Sequence, residues 1–247
     1  MDPKTPIIIV VLGACGSSSD NYVTRLISQI KDRKWRTVIV NRRGFANQTL
    51  KANRFMHDNE NEDLQEAINY ISEEFSKSPL YLIGISAGAN NTARHLGIQG
   101  TDTPIRAYVS ISNPFNLGRV SYSAQFEFWG RIFSFLIAKS FKKIVENHLL
   151  NAKMQSFVRK NFHDVDHVIR EVRNMDTVWE IDSFLNSKFC NKENVFDYYE
   201  HCSSEYVLDK IAVPSLFLSS RDDPICIHQI LPIEKIHKNP NLILLVA

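Results

Sequence analysis

Ser86 lies between two glycines in a pattern that is typical of nucleophilic serines. The segment Gly84-Ile-Ser-Ala-Gly88 matches G-x-S-x-G, a sharp turn that holds the serine hydroxyl exposed. Glycine is required at both flanking positions because larger side chains would collide there with the adjoining strand and helix. An apolar run over Leu80–Ile85 precedes the serine and a helical run follows it, so the sequence predicts a nucleophile at Ser86. A plain strand-to-helix turn is the alternative interpretation.

Two backbone N–H groups are candidates for an oxyanion hole, the pair of donors that stabilises the charged oxygen formed when a serine attacks a carbonyl. One belongs to Ala87, the residue directly after the serine. The other belongs to Ala14 in the turn Gly13-Ala-Cys-Gly16, which follows the apolar run Ile7–Leu12. An ordinary glycine turn is the alternative there. A phosphate-binding loop is excluded because no Gly-Lys-Ser or Gly-Lys-Thr follows.

Two adjacent aspartates are candidates for the acid that orients a catalytic histidine. Asp222 and Asp223 directly follow a predicted strand at Val213–Ser219, where such an acid is expected. Asp223 is the better candidate because a proline and an apolar residue follow it, whereas Asp222 is expected to be a solvated neighbour or a turn cap. Adjacent aspartates in a loop usually face solvent. The prediction of a catalytic acid therefore rests on the position of Asp223 directly after a predicted strand.

No histidine follows the last predicted strand, Leu242–Val246, where the general base is expected, because the sequence given ends at Ala247. His228 follows Asp223 too closely and His237 precedes that strand, so neither is expected to reach the serine. Without a base the serine hydroxyl stays protonated and catalysis falls by several orders of magnitude. The remaining histidines are expected to be surface or satisfied polar residues: His57, His95, His148, His163, His167 and His201.

The rest of the chain alternates strand-like and helix-like segments in the order expected of a parallel sheet. Together with the serine turn, this order predicts one α/β domain over 1–247 with the α/β-hydrolase fold, a mostly parallel sheet flanked by helices. Further strands are predicted at Thr37–Val40 and Arg106–Ser112, and helices at 20–30 with Asp20 as cap, at Asp63–Phe75, and at Ala87–Leu96, which Gly97 is expected to end.

The strand pattern stops between about 116 and 196, where the sequence is mostly helical and aromatic. Ligand sites of open parallel sheets lie at the carboxyl ends of the strands, so a helical lid insertion is expected to cover that edge. Aromatic residues of this lid are candidates to line an acyl channel or, equally, to pack onto the core: Phe126, Phe128, Trp129, Phe133 and Phe135. Lys139, Lys142 and Lys143 are candidates for contact with anionic headgroups, with a solvated helix face as the default.

Composition narrows the classes of function. The 247 residues carry a formal net charge of +2, and 44% are hydrophobic, which suits one domain with a substantial core. No basic stripe interleaved with aromatic residues occurs, so no nucleic-acid partner is expected. The longest apolar segment, 126–144, is interrupted by basic residues and is expected to be an amphipathic helix, since a membrane span needs about 20 apolar residues.

The remaining patterns favour an intracellular protein without a cofactor. The four cysteines show no C-x-x-C spacing, which favours reduced thiols over disulfides. The first residues run straight into an apolar strand without the pattern of a signal peptide. His163 and His167 stand four positions apart, but the glutamate of H-E-x-x-H is absent, so a solvated helix face is favoured over a metal site.

Several short motifs, taken together and in order, resemble the AB hydrolase-4 family, the abhydrolase domain-containing proteins 1 and 3 and their bacterial and yeast relatives. The resemblance implies a serine carboxylic ester hydrolase with Ser86 as nucleophile, an acyl-enzyme intermediate, and Asp223 as acid. It implies lipid-like ester substrates such as acylglycerols, phospholipids or medium-chain acyl esters. The matching segments are Gly84-Ile-Ser-Ala-Gly-Ala-Asn90, Asn41-Arg-Arg-Gly44, Ser112-Asn-Pro-Phe115, Asp197-Tyr-Tyr199 with Ser203-Ser204, and Asp222-Asp-Pro224 followed by Pro232.

The sequence departs from this family in three places. Leu12 stands where the family usually has a histidine before the glycine of the oxyanion turn. The family's Gly-Gly-His segment would begin just beyond Ala247, and its opening strands would precede Ile7, where some relatives carry a membrane anchor. The sequence therefore leaves two hypotheses open: a lipid-ester hydrolase, for which contact with a membrane surface is itself an open alternative, and a catalytically impaired relative that binds acyl ligands or partners without turnover.

Overall fold

One parallel sheet of six strands forms the centre of the molecule. A computed structural model describes residues 2–46, 48, 61–149, 155, 158–159, 161–162 and 164–247. The strands are β1 (Ile7–Val11), β2 (Arg36–Val40), β3 (Leu80–Ile85), β4 (Ile105–Ile111), β5 (Ser215–Ser219) and β6 (Leu242–Val246). Their order in the sheet is β2-β1-β3-β4-β5-β6, and every pair is parallel. The prediction of the α/β-hydrolase fold is confirmed.

The burial of β1 explains its sequence. This strand pairs with β2 on one side and β3 on the other, and all of its residues are buried. A strand covered on both faces reads as a continuous apolar, β-branched run, as Ile7–Val11 does. The pairing aligns Val11 with Gly84 and thereby brings the end of β1 beside the end of β3.

Ten α-helices flank the sheet or fill the connection between β4 and β5. They are α1 (Asn21–Asp32), α2 (Asn61–Glu74), α3 (Ala87–Gln99), α4 (Leu117–Phe126), α5 (Phe128–Leu149), α6 (Val165–Asn174), α7 (Val178–Ile181), α8 (Ser187–Phe189), α9 (Val195–Cys202) and α10 (Ile233–Lys238). A π-helical turn, Asp182–Asn186, joins α7 to α8, and a 3₁₀ segment, Ser204–Lys210, follows α9. This count covers the described ranges only, and no helix among them is long and apolar enough to cross a bilayer.

Two details of the predicted helices differ in the structure. Asp20 is the N-cap residue of α1, as predicted, but its carboxylate makes no cap bond to the helix and instead accepts a hydrogen bond from the Ser17 N–H at 3.0 Å. The helix after Ser86 does not end at Gly97 but continues to Gln99, and Gly100, with φ of +55°, follows it. Gly97 is needed for packing, because a Cβ there would lie 2.4 Å from the carbonyl oxygen of Val207.

The connection between β4 and β5 is mostly helical in its described residues, as the sequence predicted. Helices α5, α6 and α7 enclose a hydrophobic cluster of their own, separate from the clusters on the two faces of the sheet. Phe45, from the loop after β2, packs into this cluster with Val145 and Val168. The assignment of this insertion as a lid stays a prediction.

Candidate active site

Ser86 occupies a strained turn at the end of β3. Its backbone has φ of 54° and ψ of −124°, a conformation that costs a non-glycine residue on the order of 1–3 kcal/mol. The Ser86 N–H donates to the carbonyl oxygen of Ile111 at 2.8 Å, which fixes the turn to the end of β4. Helix α3 begins at the next residue, so the predicted strand–serine–helix geometry is present.

The two glycines beside Ser86 are required by close approach. A Cβ on Gly84 would lie 2.3 Å from the Thr92 hydroxyl oxygen and 2.6 Å from the Ala89 Cα. A Cβ on Gly88 would lie 2.4 Å from the carbonyl oxygens of both Val11 and Leu12. Real Cβ atoms do not approach other atoms so closely, so G-x-S-x-G here is a packing requirement as well as a motif.

The turn after β1 lies directly against the serine. A Cβ on Gly13 would stand 3.0 Å from the Ser86 Cβ and 3.5 Å from its hydroxyl oxygen. The turn closes through a hydrogen bond from the Gly16 N–H to the Gly13 carbonyl oxygen at 3.1 Å. Ala14, within this turn, and Ala87 line the same cavity as Ser86. The three residues predicted for attack and oxyanion stabilisation are therefore adjacent, and the role of Ala14 and Ala87 stays a prediction.

A mostly apolar cavity of about 120 Å³ opens at Ser86. Helices α4 and α5 form much of its wall, since the inner face of α5 contributes Gly130, Ser134, Ile137 and Phe141. The other described lining residues are Pro114, Leu117, Val120, Ser121, Ala124, Val178, Asp182, Tyr199, Ile225 and Cys226.

The cavity also has a polar wall that the sequence did not predict. The Tyr199 hydroxyl donates to Asp182 Oδ2 at 2.8 Å and lies 3.1 Å from the Ser121 hydroxyl oxygen. The Asn186 side-chain amide donates to Asp182 Oδ1 at 2.6 Å. Asp182 opens the π-helical turn, a conformation often found at functional sites. A buried carboxylate with two donors therefore faces the same cavity as the serine.

Asp223 lies immediately behind the cavity wall. Its Oδ1 accepts hydrogen bonds from the backbone N–H groups of Ile225 and Cys226, at 2.9 and 2.8 Å. Both of these residues line the cavity, and the Cys226 thiol donates to the Ser112 carbonyl oxygen at 3.2 Å. Asp222 is exposed and accepts a hydrogen bond from the Ser220 hydroxyl. Asp223 is therefore held by more hydrogen bonds than Asp222. Its role as triad acid stays a prediction.

Cys226 is a neutral thiol in this wall. Burial raises its pKa, and the negative charge of Asp223 raises it further. Because the thiolate is the nucleophilic form of cysteine, this residue does not compete with Ser86 for a substrate carbonyl.

No histidine is among the described residues that line the cavity. His228 and His237 are both exposed. His148, in α5 of the insertion, is buried, with its Nε2 2.7 Å from the Gly44 carbonyl oxygen. His95 is buried in α3, where burial lowers its pKa to about 4. His57 and His163 lie outside the described residues.

The end of β6 lies beside the loop that carries Asp223. The Arg221 N–H donates to the Ala247 carbonyl oxygen at 2.9 Å, and the Ala247 N–H donates to the Ser219 carbonyl oxygen at 2.9 Å. Ala247 therefore lies at the same edge of the sheet as the acid candidate.

The aromatic residues predicted to line an acyl channel do not line this cavity. Phe126, Phe128, Trp129 and Phe135 are exposed, so neither the channel nor the core interpretation holds for them. Phe133 is partly buried but is also absent from the cavity wall. The reason for the α5 residues is their position on the helix: Gly130, Ser134, Ile137 and Phe141 form the face towards Ser86, and Phe128, Trp129 and Phe135 lie on the outward face.

The proposed metal site gains no support from the described residues. His163 lies outside them, and His167 faces Glu171 at 3.8 Å on an exposed helix face. Within the described ranges, no three His, Cys, Asp or Glu side chains are grouped so that they would hold a metal ion. None of the four cysteines, all of which the structure describes, forms a disulfide.

A sequence model of the α/β-hydrolase fold matches residues 6–239, which is most of the chain. The chain belongs to the α/β-hydrolase fold family. Within that family it is similar to phospholipase ABHD3 of Homo sapiens, with 27% identity over 254 residues, 100% of this chain and 58% of that protein. It is also similar to monoacylglycerol lipase of Saccharomyces cerevisiae, with 26% identity over 246 residues, 99% of this chain and 53% of that protein. These relatives are consistent with the AB hydrolase-4 family that the motifs indicated.

Solved structures show the same α/β-hydrolase fold. Est1E from Butyrivibrio proteoclasticus, with ferulic acid bound, has a TM-score of 0.59 at 14% identity and covers 99% of this chain and 80% of its own. The Pyrococcus furiosus esterase Pf2001 has a TM-score of 0.57 at 16% identity, over 99% of this chain and 74% of its own. By contrast, this chain spans little more than half the length of ABHD3 and the yeast lipase.

Proposed function

We propose that this chain carries the nucleophile, oxyanion donors and acid of a serine hydrolase that cleaves carboxylic esters of lipids. The observation that carries the proposal is the strained Ser86 turn, which opens onto an apolar cavity beside Ala14 and Ala87. The names of the relatives, a phospholipase and a monoacylglycerol lipase, support lipid esters as the substrate class.

In the proposed reaction the Ser86 hydroxyl oxygen attacks the ester carbonyl carbon while a base accepts its proton. The carbonyl oxygen becomes an oxyanion, which the N–H groups of Ala14 and Ala87 stabilise. The intermediate then expels the alcohol, which takes up the proton, and leaves an acyl group on Ser86. Water attacks this acyl-enzyme in the same manner and releases the fatty acid.

The apolar cavity supports a short or medium acyl chain as the group next to the carbonyl. A cavity of about 150 Å³ lined by aliphatic and aromatic side chains is known to bind benzene, and the volume here is similar, about 120 Å³. Membrane contact belongs to the proposal as well, because a lipid ester reaches such a cavity from a lipid surface.

No candidate for the general base is among the described residues that line the cavity. We propose that the base is a histidine carried after β6, where the resemblance puts it. The hydrogen bonds between Ala247 and the loop of Asp223 support this, because a residue attached there begins beside the acid.

A fluorophosphonate probe tests the nucleophile directly, since it reacts covalently with activated serines. We expect slow labelling of residues 1–247 and, because a general base contributes about 100-fold or more, much faster labelling of a form extended by the family's Gly-Gly-His segment. Ser86→Ala should abolish labelling. Ser121→Ala is the matched control, because Ser121 lines the same cavity, and it should still be labelled.

The second candidate function is acyl-ligand binding without turnover, and the absence of a histidine among the described cavity residues favours it. If the extended form is folded but is not labelled, and both forms bind a fatty acid in the cavity, this second function replaces the first. Labelling that persists in Ser86→Ala would contradict both.

A further inference from the structure

The outward faces of α4 and α5 present a large apolar surface to solvent. Its aromatic members pack in pairs: the ring centroids of Tyr122 and Phe126 are 4.7 Å apart, and those of Phe128 and Trp129 are 5.2 Å apart. Exposed single hydrophobic residues are ordinary, but grouped ones mark interaction sites. We call this surface the aromatic ridge; it comprises Tyr122, Phe126, Phe128, Trp129, Ile132, Phe135 and Leu136, which are between 36% and 69% exposed.

The aromatic ridge is rigidly built. Helix α4 passes into α5 through a single residue, Glu127, whose N–H donates to the Ser123 carbonyl oxygen at 2.9 Å. The two helices touch at Gly130, because a Cβ there would lie 2.9 Å from the Ala124 Cα. The exposed rings are therefore held by two packed helices and not by a loose loop.

Basic residues share this face of α5. Arg131 lies among the ridge residues, and Lys139 and Lys143 continue the exposed stripe beyond them. No acidic residue occurs in the sequence from 128 to 143. Within the described ranges, no ion pair joins these three cations to a carboxylate. Lys142, also predicted to meet headgroups, instead faces Asp176 at 3.4 Å.

The aromatic ridge is continuous with the wall of the Ser86 cavity. Helix α5 turns Gly130, Ser134 and Ile137 towards the cavity and turns the ridge residues to solvent. Ala124, on α4, lines both the cavity and the outer groove beside Phe128. A molecule that enters the cavity by passing these two helices therefore comes from the surface that carries the aromatic ridge.

We propose that the aromatic ridge docks the protein onto an anionic lipid surface. Aromatic and aliphatic side chains enter the boundary between headgroups and acyl chains, and neighbouring cations are attracted to anionic lipids. A second copy of the chain fits this face less well, because pairing two ridges brings Arg131, Lys139 and Lys143 of each copy close to like charges. The purpose of docking rests on the proposed lipid-ester activity, but the binding itself does not.

Vesicle sedimentation tests the docking without any catalytic step. The 247-residue chain should partition onto vesicles of phosphatidylcholine with 30% phosphatidylserine at least ~10-fold more strongly than onto phosphatidylcholine alone, and salt at ~0.5 M should weaken the binding. We expect Phe128→Ser with Phe135→Ser, and separately Lys139→Glu with Lys143→Glu, each to lower the partition coefficient ~10-fold or more. The matched controls are Tyr70→Ser and Lys31→Glu with Lys77→Glu, at exposed positions away from the ridge, and they should bind as the unmodified chain does.

Tryptophan fluorescence tests which side chain enters the lipid. The emission should shift to shorter wavelength on anionic vesicles and should be quenched by brominated acyl chains. Trp129→Phe should remove both signals, whereas Trp35→Phe should retain them. This comparison does not need the Phe128→Ser and Phe135→Ser substitutions. It therefore tests docking of the aromatic ridge even if that double variant fails to fold.

The possible outcomes separate this proposal from the proposed activity. Vesicle binding that needs both the aromatic and the basic residues supports docking whether or not the probe labels Ser86. No vesicle binding by a folded chain overturns docking, even if a soluble ester is hydrolysed. A dimer in light scattering that Phe128→Ser with Phe135→Ser dissociates, without vesicle binding, assigns the ridge to a second copy and also overturns it.

Discussion

Gly88 packs directly against the end of β1, since a Cβ on it would lie 2.4 Å from the carbonyl oxygen of Leu12. This contact holds the turn after Ser86 against the end of β1, which leads into the turn that carries Ala14. The distance between Ser86 and Ala14 therefore depends on the missing side chain of Gly88.

Gly88→Ala should destabilise the protein and displace the serine. The added carbon would overlap backbone atoms that cannot rotate away, so we expect a loss of at least ~3 kcal/mol in the free energy of unfolding, at the upper end of overpacking costs. Gly118→Ala is the control, because its Cβ would meet no atom closer than 3.4 Å, and it should stay within ~1 kcal/mol of the unmodified protein. Urea unfolding measures both, and equal stabilities would contradict the close contact.

Tyr199→Phe should weaken the polar wall of the cavity. The variant removes the hydroxyl that donates to Asp182 Oδ2 at 2.8 Å, and losing a bond to a buried charged group costs about 1.5–3 kcal/mol. Tyr122→Phe is the matched control because the Tyr122 ring is 65% exposed, and we expect no measurable change from it. Thermal unfolding of the two variants side by side provides the measurement, and a stable Tyr199→Phe protein would show that the bond contributes little.

His95 should make the stability depend on pH between about 6.5 and 4. Burial lowers its pKa to about 4, so the folded protein keeps it neutral while the unfolded chain, with a pKa near 6.5, takes up a proton. The unfolded state therefore gains stability as the pH falls through this window. We expect this residue alone to account for about 2.5 kcal/mol between pH 7.5 and pH 4.5.

Denaturant unfolding at the two pH values measures this effect. His95→Gln should remove that part of the difference, since glutamine does not titrate. His237→Gln, at an exposed position on α10, should leave the difference unchanged. A pH dependence that is identical in all three proteins would show that His95 is protonated in the folded state.

Cys226 should react more slowly with alkylating reagents than the partly exposed Cys15 and Cys190. Burial and the charge of Asp223 raise the pKa of its thiol, so the thiolate that reacts with iodoacetamide is scarce. Cys15 and Cys190 are partly exposed, and at pH 8 we expect them to be modified at least ~10-fold faster than Cys226. Mass spectrometry after timed alkylation gives the rates, and denaturant should equalise them.

Local sequence patterns were enough to predict the sheet and the strand–turn–helix geometry at Ser86. The strands at Ile7 and Leu80 are continuous apolar runs, and burial on both faces of a parallel sheet is what makes such runs necessary. The edge strand at Leu242 is equally apolar, although Ile243 and Leu245 are exposed. Ser86 was recognisable because the close contacts of Gly84 and Gly88 lie within a few residues of it or on the strand next to β3.

Features that depend on contacts between distant segments were not predictable in this way. Asp182, Tyr199 and Ser121 meet at the cavity although they lie in separate segments of the chain. Tyr199 belongs to a family motif, but no local pattern predicted that these three residues meet. The local sequence predicted a helix end at Gly97, but glycine is required there because of its close contact with the distant residue Val207. The outward turn of Phe128 and Trp129 contradicted the rule that aromatic residues are buried, and such exceptions occur where a surface has a function.

The helical insertion also affects the order in which the protein folds. Strands β1 to β4 are joined by short or moderate connections, whereas β5 pairs with β4 only after the chain closes a loop of about 100 residues. Contacts between distant parts of a chain form late, because the entropy of loop closure opposes them. The turn at Ser86 should therefore take shape in an early half-sheet, and β5 and β6, the strands on either side of Asp223 in the chain, should join last. In hydrogen exchange, amides of β5 and β6 are expected to open before those of β1 and β3.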